Sequence, residues 1–342
     1  MTELWQTLKN TRLPIYLYGM GNGADKIINT LDTMGIAVSG VFVSDGFVRD
    51  KTFHGFKLQS YSDVKNKHEN FIVLVSFGTS LNDVISNIKR IGSEQTLFAP
   101  DLPVFGDGLF TLDFCRQNAE RIKCVYNALA DDISKTTFEK LIRYKITGDV
   151  SFLFDCETRP DEPFKNFLNL RPDSVFVDLG AYRGDTLAEF IKNVGGFKKA
   201  YAVEPDKKTF EKLKKAVPEN VFCINAAASD REGVSYFEMQ SGRGSHLSGK
   251  GIEIPCVSVD SLFCKESVDY IKMDVEGAES KAITGSVKTI QSCKPKLCIA
   301  AYHRAYDLID IPEQILEIRP DYKMYLRHFP YIPAWDTNYY FI

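Results

Sequence analysis

The chain lacks any surplus of basic charge: 42 lysines and arginines stand against 45 aspartates and glutamates, for a formal net charge of −3 at pH 7. Binding to a nucleic-acid backbone needs a cationic field, so nucleic acid is not an expected partner. The lysine-rich stretches, Lys207-Lys208 and Lys212 with Lys214-Lys215, sit beside acids on helix-like segments and read as solvated faces. No Cys-x-x-Cys occurs among the eight cysteines, Cys115, Cys124, Cys156, Cys223, Cys256, Cys264, Cys293 and Cys298. Structural zinc needs closely spaced pairs, so scattered free thiols in a reducing compartment are expected instead. A long uncharged apolar run is missing, as is an N-terminal apolar core with a cleavage site. No membrane span and a cytoplasmic location are therefore expected. Internal repeats and low-complexity stretches are absent too.

What is present is an ordinary globular composition, 44% hydrophobic and 25% charged, over 342 residues, a length that suggests two domains. Two segments share one grammar of apolar strand, glycine turn and helix. In the first, Pro14-Ile15-Tyr16-Leu17-Tyr18 leads into Gly19-Met20-Gly21-Asn22-Gly23 and a helix running to about Met34. Strands near 38–43, 71–75 and 96–98 and a helix over 81–91 complete a small parallel α/β unit. Residues 1–103 are thus expected to form a Rossmann-like domain. Residues 104–170 carry apolar positions at helical spacing, such as Phe138, Leu141, Ile142 and Ile146, and read as a helical connector.

The second α/β unit, 171–342, is expected to place strands at 175–179, 200–203, 221–225, 270–275 and 296–301. Helices are expected at 186–193, 207–216, 278–290 and 311–318, and a last strand at 336–342. Between the third and fourth strands, two alternating segments, 234–237 and 252–259, predict a β-hairpin. They are joined by Ser241-Gly242-Arg243-Gly244-Ser245-His246.

Three pieces of this unit carry chemistry. Strand one ends in Asp178 and turns through Gly180-Ala181-Tyr182-Arg183-Gly184 into a helix that starts Asp185-Thr186. Glycines allow close approach to the backbone, and a helix start favours an anionic group. Strand two ends in Glu204, placed to accept both hydroxyls of a ribose, a device that NAD sites share. An acid ahead of Gly-x-x-x-Gly departs from the NAD pattern, Gly-x-Gly-x-x-Gly. Asp178 could instead hold an ammonium, which S-adenosylmethionine has and NAD lacks. Strand four delivers Asp274 and Glu276 to the same edge; two carboxylates there suit a general base, a substrate clamp or a metal. Glu279 is expected to cap the next helix.

Together these segments resemble the FkbM family of S-adenosylmethionine-dependent methyltransferases. The residues that carry the likeness are Val177 to Thr186, Glu204-Pro205, Asn225 to Asp230 and, most specifically, Ile271-Lys272-Met273-Asp274-Val275-Glu276-Gly277-Ala278-Glu279; Lys294-Pro295 fits as well. The resemblance implies a class I methyltransferase fold, a doubly wound α/β sheet of seven strands whose last strand is antiparallel. It also implies O-methylation of a hydroxyl, often on a sugar or polyketide. In that reading Asp178, Gly180, Tyr182, Gly184, Asp185 and Thr186 hold the methionine end, Glu204 the ribose, and Ala227 and Ser229 the adenine. Where many relatives have an acid near the end of strand five, this chain has Tyr302-His303. Asp274 or His303 is expected to orient or deprotonate the acceptor, with Glu276, Arg243, Ser245 and His246 on the substrate side. Asp274, Glu276 and His303 match no ligand spacing, so no metal is expected.

The N-terminal unit resembles the small Rossmann-like domains of sugar-modifying enzymes, on Gly19 to Gly23 and Gly40 to Asp45. Its turn could bind a nucleotide phosphate or serve packing or homodimer formation. Two other functions stay open: an NAD-dependent sugar-nucleotide oxidoreductase or epimerase using that turn, and a non-catalytic sugar-nucleotide-binding module.

Overall fold

The computed structural model describes every residue except 48–50, 239–245, 249–251 and 264–265. Its N-terminal sheet contains β1 (Ile15–Tyr18), β2 (Gly40–Val43), β3 (Gln59–Ser60), β4 (Ile72–Val75) and β5 (Thr96–Phe98) in the order β3-β2-β1-β4-β5. All its pairings are parallel. Every residue of β1, β2 and β4 is buried, because helices cover both faces of a parallel sheet and make its strands continuously apolar. The helix Asn22–Thr33 buries Ala24, Ile27, Ile28 and Leu31, the i, i+3, i+4, i+7 stripe that the sequence spacing requires.

The second sheet has seven strands. In chain order its first three are β6 (Val175–Leu179), β7 (Lys199–Val203) and β8 (Val221–Ile224). A separate four-stranded sheet follows, formed by β9 (Ala227–Ala228), β10 (Gly233–Glu238), β11 (His246–Ser248) and β12 (Ile252–Val257). The main sheet resumes with β13 (Tyr270–Met273), β14 (Lys296–Ala300), β15 (Met324–His328) and β16 (Thr337–Phe341), and its order is β8-β7-β6-β13-β14-β16-β15. Only β16 runs against its neighbours, so the expected antiparallel last strand is present. The fold class is α/β with parallel-dominated sheets, as the sequence implied.

Several details depart from expectation. The hairpin pairs β10 with β12 as anticipated, but β11 also joins it from the connecting stretch. A single helix over 278–290 is broken into Glu279–Thr284 and Val287–Cys293. The break falls at Gly285-Ser286; a Cβ on Gly285 would lie 2.1 Å from the Ser229 carbonyl oxygen, so a close backbone crossing occupies that point. Neither β3 nor β15 was anticipated. Within β15, Arg327 is 1% exposed and interrupts the apolar pattern.

That arginine ties the middle of the chain to the second sheet. Residues 104–170 contain the helices Leu112–Gln117, Ala119–Ala128, Asp132–Thr147 and Ser151–Phe154. The Arg327 guanidinium donates to Asp131 Oδ2 (2.7 Å), Glu162 Oε2 (2.9 Å) and Ser134 Oγ (2.8 Å). Buried apolar side chains from the first sheet, these helices and the second sheet form one continuous cluster, including Phe42, Val73, Phe138, Ile271 and Leu326. Among the described residues no helix is long and apolar enough to cross a membrane.

Candidate functional site

In an open parallel sheet a ligand crevice forms beyond the carboxyl ends of the strands where strand order reverses. The second sheet reverses between β6 and β13, the first between β1 and β4. Both reversal points open on one cavity of 1420 Å³. Its walls include Asn22, Lys26, Ser76 and Phe77 from the first unit, and Tyr182, Glu204, Asp274 and His303 from the second.

Two stitches hold the facing edges together. Thr79 and Ile332 exchange backbone hydrogen bonds of 2.8 and 2.9 Å. Lys26 Nζ donates to the Pro103 (2.9 Å) and Val104 (2.6 Å) carbonyls, and the next residue, Phe105, donates its N–H to the His303 carbonyl at 2.9 Å.

The turn after β6 is built by packing. Gly180 sits at φ +84°, and a Cβ there would lie 1.8 Å from the Asp274 carbonyl oxygen. The glycine thus brings the β6 and β13 loops together, and it lines the cavity as well. Gly184 (φ +87°) starts the helix Asp185–Val194, and a Cβ there would press on Val217 at 2.9 Å. Asp185 and Thr186, its first residues, line the cavity. Tyr182 adopts φ +47°, is 39% exposed, and also lines it.

Glu204 follows β7 and is 6% exposed. Its Oε2 accepts the Tyr182 N–H (2.9 Å) and its Oε1 the Asp206 N–H (2.8 Å), so backbone bonds fix the carboxylate in the cavity wall. Burial lifts its pKa to about 7, against the lowering effect of those two bonds. Ala227 forms the wall beside it, together with Ala228. Ser229 is not in that wall; its hydroxyl donates to Asp230 Oδ1 at 3.0 Å and its carbonyl packs under Gly285.

Asp178 is placed otherwise than its expected role requires. It is fully buried, is absent from the cavity wall, and neither carboxylate oxygen has a hydrogen-bond partner among the described residues. Burial raises its pKa to about 7, and the ammonium of Lys272 opposes that rise. Lys272, whose Nζ lies 3.3 Å from Asp274 Oδ2, supplies positive charge near Asp178 without a hydrogen bond to it among the described residues.

Beyond the end of β13, Asp274 Oδ1 accepts from the Tyr302 hydroxyl at 3.1 Å. Burial would raise the Asp274 pKa, but Lys272 and then His303 outweigh it and hold the carboxyl below its usual range. His303, 1% exposed, places Nε2 3.5 Å from both Asp274 Oδ1 and Glu276 Oε2. Its Nδ1 lies 2.8 Å from Glu279 Oε1. Burial pulls the imidazole pKa down, yet Glu279, Asp274 and Glu276 together lift it to about 10. Glu276 itself sits at φ +53°.

The expected cap at Glu279 needs correcting. No side-chain cap bond forms at that helix start; Glu279 Oε1 instead accepts the Val275 N–H at 2.9 Å and meets His303. Sequence reading also missed Lys272 as a partner and Tyr302 as a donor. No local signal joins positions 279 and 303, since they meet only through the fold. Arg243 and Ser245 lie outside the described residues. His246 opens β11 in register with Glu238, and its side chain is likewise outside the described set.

Residues 178–328 match the family described as the methyltransferase FkbM domain. The chain is also similar to the crystal structure of a methyltransferase FkbM from Methylobacillus flagellatus KT, at 22% identity and a TM-score of 0.72, over 96% of this chain and 90% of that one. That likeness shows a shared fold through both α/β units. An rRNA methylase of Streptococcus thermophilus is far more distant: 15% identity and a TM-score of 0.36, over 54% of this chain and 96% of that one. No curated protein matches the chain.

Proposed function

We propose that the methyltransferase FkbM domain formed by residues 178–328 uses S-adenosylmethionine to methylate a hydroxyl of a sugar, glycan or related metabolite held between the two α/β units. The observation that carries this reading is Glu204. It stands at the tip of β7, fixed by two backbone N–H groups, in the wall of the cavity that also contains Asp274 and His303. Each oxygen already accepts one bond and keeps a lone pair, which suits a pair of ribose hydroxyls. Ala227 and Ala228 offer a small apolar shelf for a base, and the start of the helix Asp185–Val194 suits a carboxylate. Asp178 enters only indirectly, through its electrostatic influence on Lys272, which pairs with Asp274.

S-adenosylmethionine supplies a methyl group on a sulfonium, whose sulfur leaves with the bonding electron pair as the acceptor oxygen forms its new bond to carbon. The protein's contribution is alignment and exclusion of water. Asp274, oriented by Tyr302 and Lys272, faces the acceptor edge and takes the hydroxyl proton as the new C–O bond forms. His303, fixed at Nδ1 by Glu279, orients rather than deprotonates. Phe77, Tyr331 and Trp335 give the far wall aromatic faces on which a sugar ring can stack.

Isothermal titration of the full chain with S-adenosylmethionine tests this reading. Saturable binding that falls at least tenfold in Glu204→Ala is expected. No binding by the unmodified chain, or undiminished binding by the variant, overturns it.

A further inference from the structure

His303 Nε2 faces two carboxylates at more than the length of an ordinary charge-assisted hydrogen bond. Nε2 stands 3.5 Å from Asp274 Oδ1 and 3.5 Å from Glu276 Oε2. Charge-assisted N–H···O bonds close to about 2.7–2.9 Å, so neither contact is one. Two donor atoms that each bind one cation at about 2.0–2.2 Å stand roughly 3–3.5 Å apart, which is the spacing found here. The ring is also fixed for that purpose. Glu279 holds Nδ1 at 2.8 Å and so turns Nε2 toward the two carboxylates. A carboxylate on the far nitrogen is the usual outer partner of a metal-binding histidine.

The placement agrees with this reading. Asp274, Glu276 and His303 line the cavity, whereas Glu279 lies behind them and is 1% exposed. Its Oε2 is buried with no hydrogen-bond partner among the described residues, so an unsatisfied anionic acceptor remains beside the imidazole. One donor atom each from Asp274, Glu279 and His303 lies within 4.8 Å of the others. The carboxyls of Asp274, Glu276 and Glu279 converge on the His303 ring, while Lys272 pairs with Asp274.

The geometry points to a divalent cation site formed by Asp274, Glu276 and His303, with Glu279 as the positioning residue behind the imidazole and the ion displacing the proton from His303 Nε2 to solvent. One nitrogen and two carboxylates suit a first-row transition cation such as Mn²⁺ better than Ca²⁺ or Mg²⁺, which prefer all-oxygen sites. The site needs no particular reaction to exist. Its role rests on the methyl-transfer reading: a cation there would hold the acceptor hydroxyl and make its proton more acidic, and the proton would leave to a carboxylate oxygen of Asp274 or Glu276 that the ion does not hold.

The test titrates the full chain with Mn²⁺ alone, following free ion by electron paramagnetic resonance with no S-adenosylmethionine present. One saturable ion per chain is expected. Glu276→Gln should weaken it at least tenfold and Glu279→Gln by about tenfold, as loss of an outer partner does. Because His303→Gln replaces a buried ring and can fail to fold, Glu276→Gln is the deciding variant; its side chain is 34% exposed, and circular dichroism confirms its fold. Equal Mn²⁺ affinity in the unmodified chain and Glu276→Gln, or no saturable binding by the former, overturns the proposal. Neither result bears on S-adenosylmethionine titration, so the two readings fail separately.

Discussion

The turn after β1 and the turn after β6 have the same local form: a buried strand, a glycine turn with positive φ, and a helix start at the edge of a parallel sheet. They face the same cavity. Their glycines even do similar work, since a Cβ on Gly19 would lie 2.4 Å from the Phe77 ring and one on Gly180 1.8 Å from the Asp274 carbonyl oxygen. The difference lies in the neighbouring strand tips. Beside the second turn stand Glu204 and Asp274, both in the cavity wall. The corresponding acid of the first unit, Asp45, is exposed and lies outside that wall; it accepts from the Tyr61 N–H (3.0 Å) and the Ser62 hydroxyl (2.9 Å) and so starts the helix Tyr61–Lys67. A glycine turn makes two chain segments meet; the acids on the adjacent strands decide whether a ligand has anything to bind. The first turn is therefore a wall of the cleft, and a nicotinamide enzyme built on it gains no support from Asp45.

The largest effect that separates the turns is expected from Gly180→Ala. Its Cβ meets a backbone carbonyl that cannot move without shifting the β13 loop, and its φ is left-handed besides. A loss of about 3 kcal/mol or more follows, with S-adenosylmethionine binding abolished. Gly21, at φ +117°, has nothing within 4 Å of a built Cβ. Gly21→Ala should cost only the backbone strain, about 1–3 kcal/mol, and leave cofactor affinity unchanged. Thermal unfolding and calorimetric titration of both variants read the contrast. Equal loss of binding in the two would erase the functional distinction between the turns.

A smaller effect concerns the two acids. Glu204→Ala removes the proposed ribose acceptor and should weaken S-adenosylmethionine by about 1.5–3 kcal/mol, roughly 10–100-fold. Asp45→Ala should leave that affinity within twofold while loosening the first unit. Were Asp45→Ala to weaken cofactor binding as much as Glu204→Ala, the first turn would be a ligand site after all.

How much of this was legible depended on distance along the chain. The strand tip Glu204 was readable because it ends an apolar run, Asp274 because it ends one broken only by Lys272, and β6 was placed to the residue. The short β3 and the charge-bearing β15 were not, since Arg327 is buried only by grace of Asp131 and Glu162, far away in sequence. The role of Gly180 could not be read either: its packing partner is the Asp274 carbonyl, and a glycine that admits a ligand looks the same in sequence as one that admits another loop. Likewise Glu279 looked like a helix cap because its partner, His303, sits on a different element. The convergence of the two sheet edges on one cavity is a property of how the units are stitched, through Thr79 with Ile332 and Lys26 with the 103–104 carbonyls.

The smallest effect, and the most specific to Glu204, is a pH dependence. Burial holds its pKa at about 7 in the folded protein, against an ordinary glutamate value of 4.5. Two ribose hydroxyls donate only to the ionised carboxylate, so binding must first remove its proton when the pH is below 7. S-adenosylmethionine affinity should then rise about tenfold between pH 6 and pH 8. Stability runs the other way. The unfolded chain releases this proton near 4.5 while the folded chain keeps it to about 7, so the contribution of Glu204 is full below 4.5 and is lost as the pH climbs to 7. Asp178, also held at about 7 by burial, titrates in the same window, and only the difference between the unmodified chain and Glu204→Gln isolates Glu204. That difference should show affinity rising with pH where stability falls. A glutamine variant that keeps the full rise in affinity would place the titrating group elsewhere and remove Glu204 from the ribose site, since no purely structural role for this carboxylate makes the two slopes opposite in sign.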